Sequence, residues 1–212
     1  MSKKRQTPLR RIKDKYMEKR NAKGQTLREF LAAYNPSDFV KPAVTADCLI
    51  FTRGGEKVLV VKRGNHPCIG EYALPGGFCE TGESSEETAR RELKEETGAA
   101  IDNLSQMYFV STPNRDARDW IMTVCYIAAV DEPFAVAGGD DAADAVWLNV
   151  SAKYNGNRAT LTLGDASAEF DIKRTCGKID INNTAITKNT GIAFDHAKLI
   201  LYGLEEVSRN NS

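Results

Sequence analysis

Residues Gly76–Ala100 read GGFCETGESSEETARRELKEETGAA, and the spacing of their acids orders everything else in the chain. Glu92, Glu95 and Glu96 recur at i, i+3 and i+4, which stacks them on one face of an α-helix. Ser84 or Ser85 caps that helix, TARRELKEET forms its body, and Gly98 stands just past its end. Ala89 and Leu93, four apart, supply a narrow buried stripe, so the three glutamates point toward the sheet edge or solvent. Like charges at this spacing cost about 0.2–0.5 kcal/mol per pair. Arg91 lies four residues after Glu87 and four before Glu95, where it can pair with either and offset part of the repulsion.

Two arrangements account for such a cluster. One is a solvated, salt-bridged helix face. The other is a site for a hard divalent cation, because Mg²⁺ takes oxygen ligands and accepts waters and phosphate oxygens in its shell. Unpaired carboxylates about 4 Å apart repel by about 4 kcal/mol at an effective dielectric of about 20, and a divalent ion reverses that sign. Acid spacing alone leaves both open.

The surrounding residues decide between them. From Gly77 the chain runs Gly, five residues, Glu83, seven residues, Arg91-Glu92-Leu93, one residue, Glu95-Glu96, one residue, Gly98. This resembles the signature of the Nudix hydrolases at every charged and glycine position. It departs at the last apolar position, where Ala99 replaces a larger aliphatic residue and Ile101 stands ready to fill the space. The resemblance implies an α/β fold, an α/β/α sandwich around a mixed sheet. It also implies hydrolysis of a nucleoside diphosphate linked to another moiety, with Mg²⁺ as cofactor and Mn²⁺ as a substitute. Carried over by position, Glu92, Glu95 and Glu96 are the metal ligands, helped by the Gly76 carbonyl. Arg91 orients them and Glu83 braces the turn into the helix. The consecutive glycines Gly76-Gly77 let backbone approach the ion closely.

The flanks VKRGNHPCIGEYALPGGF, STPNRDARDWIMTVCYIAAV, GGDDAADAVWL and FDHAKLIL look similar to the bacterial branch that acts on ADP-ribose. In that setting Arg63 and Arg115 are candidate phosphate or ribose contacts, since a guanidinium is forked and permanently charged. Phe78 or Tyr72 is a candidate for stacking on an adenine, with core packing as the alternative. In the GGDDAADA loop Asp141 is the first choice of general base, with Asp140 and Asp144 behind it. The expected reaction is ADP-ribose to AMP and ribose 5-phosphate. The alternatives are another nucleotide (a dinucleoside polyphosphate, NADH, a dNTP or an RNA cap) and a non-catalytic ADP-ribose sensor.

Composition bounds the rest. The 212 residues are 42% hydrophobic and 27% charged, in the range of a folded globular chain. Five cysteines without a C-x-x-C pair suit reduced thiols, and two histidines supply little for zinc or for His-based nucleophilic catalysis. The N-terminal MSKKRQTPLRRIKDKYMEKR lacks a secretory apolar block, and no apolar run suits a membrane span, so a cytoplasmic address is expected. The net charge of zero is uneven. Residues 1–23 carry ten Lys or Arg and two acids, leaving the other 189 residues at −8. Without an accompanying nucleic-acid motif, this arm is read as a solvated helix or a tail docking on its own acidic domain, in preference to an RNA or DNA reader. A homodimer is left open.

Residues 1–40 are expected as a basic helical arm, with Leu9, Ile12 and Tyr16 in one helix and TLREFLAAYN in a second behind a Thr26/Glu29 capping box. Residues 41–212 are expected as the Nudix domain. VTADCLIFT and VLVVKR read as a hairpin, and QMYFVST, WIMTVCYIAAV and AVWLNV as further strands. Within 155–190, ATLTLG, AEFDIKR and KIDINN read as a small antiparallel insert. FDHAKLILYGLEEV closes the chain as a helix with Asp195 at its N-cap and His196 structural or on the surface.

Overall fold

The computed structural model describes residues 19–136 and 142–210. It forms two compact units, Met1–Lys41 and Pro42–Ser212. In the first, helix α1 (Leu27–Ala33) starts at Thr26 with the expected capping box: the Thr26 hydroxyl accepts from Glu29 N, and the Glu29 carboxylate accepts from Thr26 N at 2.7 Å. No residue of α1 is buried. Phe30 instead meets Tyr34, just past the helix, with tilted rings 5.7 Å apart, and Tyr34 stacks on Phe39 at 6.0 Å. Leu9, Ile12 and Tyr16 fall outside the described residues.

The second unit holds β1 (Ala43–Thr52), β2 (Lys57–Arg63), β3 (Tyr72–Ala73), β4 (Gly76–Phe78), α2 (Ser85–Thr97), β5 (Ser105–Val110) and β6 (Ile121–Val130). It continues with β7 (Ala142–Asn155), β8 (Arg158–Leu163), β9 (Ala166–Asp171), β10 (Arg174–Thr175), β11 (Lys178–Ile179), β12 (Ala185–Thr190) and α3 (His196–Asn210). The main sheet runs β12-β9-β8-β7-β2-β1-β6-β5, with β3 added on β2 and β4 on β1. β1 and β6 are parallel over ten residue pairs, whereas β2, β4 and β5 join antiparallel, so the sheet is mixed.

Strand alternation divides the core into two layers. From β1, Ala46, Cys48 and Ile50 pack with Ala89 and Leu93 of α2, and with Ala99, Ile101 and Leu104 after it. Leu49 and Phe51 face the other way, onto Ala197, Ile200, Leu201 and Leu204 of α3. A helix thus covers each face of the sheet. At Gly203 a Cβ would come within 2.8 Å of Leu49 and 2.9 Å of Phe51, so the missing side chain lets α3 rest directly on β1.

The insert is laid out differently from the expectation. β7 extends to Asn155 and pairs first with β2 and then with β8, so the insert continues the main sheet. KIDINN contributes only β11, paired with β10 in a separate ribbon. The third strand of the meander is β12, whose sequence AITKNT lies almost wholly exposed at the sheet edge and so lacks an apolar alternation. Phe170, Leu161 and Leu163 carry the insert's apolar face into the α3 layer. All five cysteines are free thiols. Among the described residues no helix is long and apolar enough to cross a membrane.

Candidate functional site

Helix α2 carries the expected caps. The Ser84 hydroxyl accepts from Glu87 N while the Glu87 carboxylate accepts from Ser84 N at 2.7 Å, and Gly98 closes the helix at φ 72° with its N–H on Lys94 O. Because Glu87 is used in the cap, Arg91 turns elsewhere. Its Nε donates to Glu83 at 2.9 Å, its Nη1 to Glu92 at 2.7 Å and to Glu95 at 3.1 Å, and its Nη2 to Glu83 at 3.1 Å and to the Phe78 carbonyl at 3.2 Å. One guanidinium therefore ties the helix to the loop before it and to β4. Glu83 also accepts from the Thr88 hydroxyl at 2.9 Å, and with Arg91 this holds its carboxyl down at about 2.

The three glutamates of the signature have unequal surroundings. Glu95 is open, with 59% of its side chain exposed, while Glu92 is 16% exposed. Glu96 turns inward and accepts from Gly76 N at 2.9 Å. The diglycine makes this fit. A Cβ on Gly77 would collide with the Glu92 carboxylate, and one on Gly76, whose φ is 156°, would collide with the Ala46 carbonyl and lie 2.7 Å from Asp47 Oδ1. Burial pushes Glu92 up, and it drives Glu96 from the usual 4.5 to about 7, with Glu92 and Asp47 adding repulsion and the Gly76 N–H and Arg63 acting against it.

The sign of the resulting pH dependence is definite. The folded protein binds the Glu96 proton more tightly than the unfolded chain, so the stability this group permits is fully present below 4.5 and is lost as pH rises through about 7. A shift of this size corresponds to about 3 kcal/mol. Urea unfolding of chelator-treated protein at about pH 5 and about pH 8, taken as the difference from Glu96→Gln, is expected to show a loss of that order. Parallel pH profiles for the two proteins would contradict an inward-turned Glu96.

Beside Glu96 lies a cavity floored by Asp47 and walled by Arg63, Arg115, Arg118, Phe194 and His196. Asp47 is a buried acid within the apolar strand β1, opposite Gly76 on β4 and Cys125 on β6. Its Oδ2 accepts from the Thr123 hydroxyl at 2.6 Å and lies 3.9 Å from His196 Nε2 and 4.0 Å from Arg115 Nη2. His196 is structural and buried. Its Nδ1 accepts from Leu74 N at 2.9 Å, and burial holds it below its usual range, in the neutral form. The proton of that neutral ring is therefore on Nε2, facing Asp47.

The two candidate arginines behave differently. Arg115 is 4% exposed and grips Asp195 with two bonds, Nε at 3.0 Å and Nη2 at 2.7 Å, so the Asp195 carboxylate at the head of α3 is engaged by Arg115. Arg63 donates Nε to the Pro67 carbonyl at 2.8 Å and has no carboxylate partner among the described residues, which leaves its outer nitrogens for the cavity. Phe78 lies at the cavity mouth, 42% exposed. Asp144 is an exposed residue of β7 opposite Lys62, while Asp140 and Asp141 lie outside the described residues. Sequence reasoning missed Asp47, Thr123, Asp116 and Arg118. The one available signal was an acid placed inside the otherwise apolar run VTADCLIFT.

The donors offered by Glu92, Glu95, Glu96 and the backbone of Gly76 are all oxygens, the set that suits a hard divalent cation. Two of the carboxylates, Glu92 and Glu96, are raised by burial, which outweighs the Arg91 guanidinium beside the first and the Gly76 N–H on the second. Among the described residues no three His, Cys, Asp or Glu side chains converge closely enough to hold an ion unaided. A magnesium ion commonly completes such a partial set with water and substrate phosphate, so the residues fit.

A mixed sheet between two helical layers, with an acid-bearing helix entered through a diglycine strand, defines an α/β/α sandwich with its polar site at one edge of the central strands. The NUDIX domain profile matches residues 41–166, more than half of the chain, and the chain belongs to that family. Over 113 residues it is 38% identical to an ADP-ribose pyrophosphatase of Methanocaldococcus jannaschii, a match covering 53% of this chain and 65% of that protein. The chain thus spans less than two thirds of that relative's length. A MutT/nudix family protein from Enterococcus faecalis superposes with a TM-score of 0.68 at 30% identity, over 94% of this chain and 74% of its own. The NUDIX domain of Shewanella oneidensis NrtR, complexed with ADP ribose, superposes with a TM-score of 0.53 at 38% identity, over 58% of this chain and 82% of its own.

Proposed function

We propose that this chain is a Nudix hydrolase that cleaves ADP-ribose to AMP and ribose 5-phosphate with Mg²⁺, or with Mn²⁺ in its place. The observation that carries this is the meeting, in one cavity, of the buried Glu96 carboxylate and the Arg63 guanidinium. A carboxylate that needs a cation and a guanidinium that needs an anion together suit a metal diphosphate. The ADP-ribose named for two similar proteins supports the choice of substrate.

Glu92, Glu95, Glu96 and the Gly76 carbonyl would hold the metal. When bound, it supplies neutralisation of the diphosphate and activation of the attacking water. The chain's own residues do the rest. Arg91, fixed by Glu83, orients Glu92 and Glu95 through hydrogen bonds, and Gly76 N holds Glu96. Arg63 binds phosphate oxygens. Asp141, the expected general base, takes the proton as the water oxygen bonds to phosphorus. The anhydride P–O bond then breaks, and its oxygen leaves on the other phosphate. Free thiols suit a cytoplasmic address.

Incubation with ADP-ribose, Mg²⁺ and ¹⁸O-water, followed by mass spectrometry, is expected to give AMP and ribose 5-phosphate with one labelled oxygen on one product. Binding of ADP-ribose without cleavage would instead make the chain a sensor of that ligand. Arg63→Ala is expected to raise KM for ADP-ribose by about 10- to 100-fold, the effect of losing a charge-assisted hydrogen bond worth about 1.5–3 kcal/mol. An unchanged KM would remove Arg63 from the phosphate site.

A further inference from the structure

The insert lends no side chain to the cavity, yet its ribbon ends against a loop that walls it. The ribbon is anchored on α3. Ile172, Ile179 and Ile181 are buried in the α3 layer, Arg174 places two bonds on Glu205, at 2.6 and 3.1 Å, and Lys178 reaches Glu206 at 2.9 Å. The turn that follows closes on Asp180. Its carboxylate accepts from the Thr175 hydroxyl at 3.1 Å and from the backbone and side-chain nitrogens of Asn183 at 3.1 and 2.9 Å, and its carbonyl accepts from Thr184 N at 2.8 Å. Asn182 therefore stands on a turn that is fixed from both sides.

From there Asn182 crosses to β5 and the loop after it. Its Oδ1 accepts from the Thr112 hydroxyl at 2.8 Å, and its Nδ2 donates to the Tyr108 hydroxyl at 3.3 Å, while the Tyr108 ring meets Tyr202 of α3 edge-on at 5.5 Å. Thr112 is near the start of residues 111–120, the β5–β6 connection, which has no regular structure and supplies Arg115, Asp116 and Arg118 to the cavity. Arg118 is held within that loop by the buried Asp116, which accepts from its Nη2 at 2.7 Å and from its backbone N–H at 2.9 Å, and its guanidinium lies between the Phe78 and Phe194 rings, at 5.0 and 5.2 Å. A loop without its own ladder takes its position from contacts outside it. Arg115 on Asp195 provides one such contact, and Thr112 on Asn182 another. We propose that the insert braces the β5–β6 loop, with Asn182 a positioning residue that acts through Thr112 to hold Asp116 and Arg118 at the cavity wall. Apparent affinity scales with the fraction of molecules in the competent arrangement, so the insert sets substrate affinity without touching the substrate.

The test uses the full chain as wild type, Asn182→Ala, Thr112→Val and Asn182→Asp, and reads amide hydrogen exchange of the 111–120 peptide together with KM and kcat on ADP-ribose. The kinetic arm rests on the nucleoside diphosphate reading given above, and the exchange arm does not. Asn182→Ala and Thr112→Val each remove the same neutral hydrogen bond, and each is expected to speed exchange in 111–120 and to raise KM about three- to tenfold with kcat within about twofold of wild type. Their double variant should be no worse than either alone, as for two partners of one bond. Asn182→Asp keeps an acceptor for the Thr112 hydroxyl and should restore wild-type exchange and KM. Wild-type exchange and KM in Asn182→Ala would overturn the proposal, as would an Asn182→Asp no better than Asn182→Ala. A lowered denaturant midpoint with KM and loop exchange unchanged would also overturn it and assign the ribbon to stability alone. If wild type does not hydrolyse ADP-ribose, the activity proposal fails on its own, and loop exchange across the four proteins still decides the brace.

Discussion

Glu96→Gln is expected to lower kcat on ADP-ribose by about 100- to 1000-fold while leaving the protein folded, the loss typical of removing a group that acts on the reacting charge. The amide oxygen of Gln can still accept from Gly76 N, so the 2.9 Å bond that positions the side chain has a replacement. What disappears is the negative charge, which the buried site otherwise carries at a cost. The same variant should therefore be more stable than wild type in chelator above about pH 7. Loss of turnover with gain of stability is a combination that simple misfolding cannot produce. Steady-state kinetics at saturating Mg²⁺ with parallel urea unfolding would check it, and turnover within about threefold of wild type would sink the metal assignment.

Arg115→Ala is expected to destabilise the protein by about 3–5 kcal/mol, because it leaves Asp195 buried without its partner. Arg115 and Asp195 are 4% and 11% exposed, and Asp47 stands 4.0 Å from the same guanidinium, so two acids would lose one shared cation. A well-packed apolar pair, Arg115→Met with Asp195→Leu, should recover most of that stability. The sequence alone placed Arg115 among the substrate contacts, and that role predicts a different result, a KM effect at near-normal stability. Denaturant midpoints of the single and double variants separate the two roles.

The acidic helix was legible because all of its information is local. Its caps at Ser84 and Gly98 and its buried pair Ala89 and Leu93 lie within one short stretch and are placed as read, whereas the inward turn of Glu96 onto Gly76 N depends on the packing of β4 against the helix. Long apolar strands such as β1 and β6 were legible for the same reason. The floor of the cavity was not. Asp47 meets Thr123 across 76 residues and Arg115 meets Asp195 across 80, and no local period records contacts of that range. Arg118 between two rings depends on Phe194 taking a left-handed backbone, which a bulky residue gives no reason to expect. Strand β12 escaped notice because an exposed edge strand needs no apolar alternation, and Ser151–Asn155 reads as a polar loop until β8 pairs with it.

The most direct test of the proposed activity is a side-by-side determination of kcat/KM, with Mg²⁺, for ADP-ribose, NADH, a diadenosine polyphosphate and a dNTP. ADP-ribose is expected to be highest, since a site built to hydrogen-bond sugar hydroxyls discriminates strongly against substrates lacking them. A higher kcat/KM for the dNTP or the dinucleoside polyphosphate under the same conditions would contradict it.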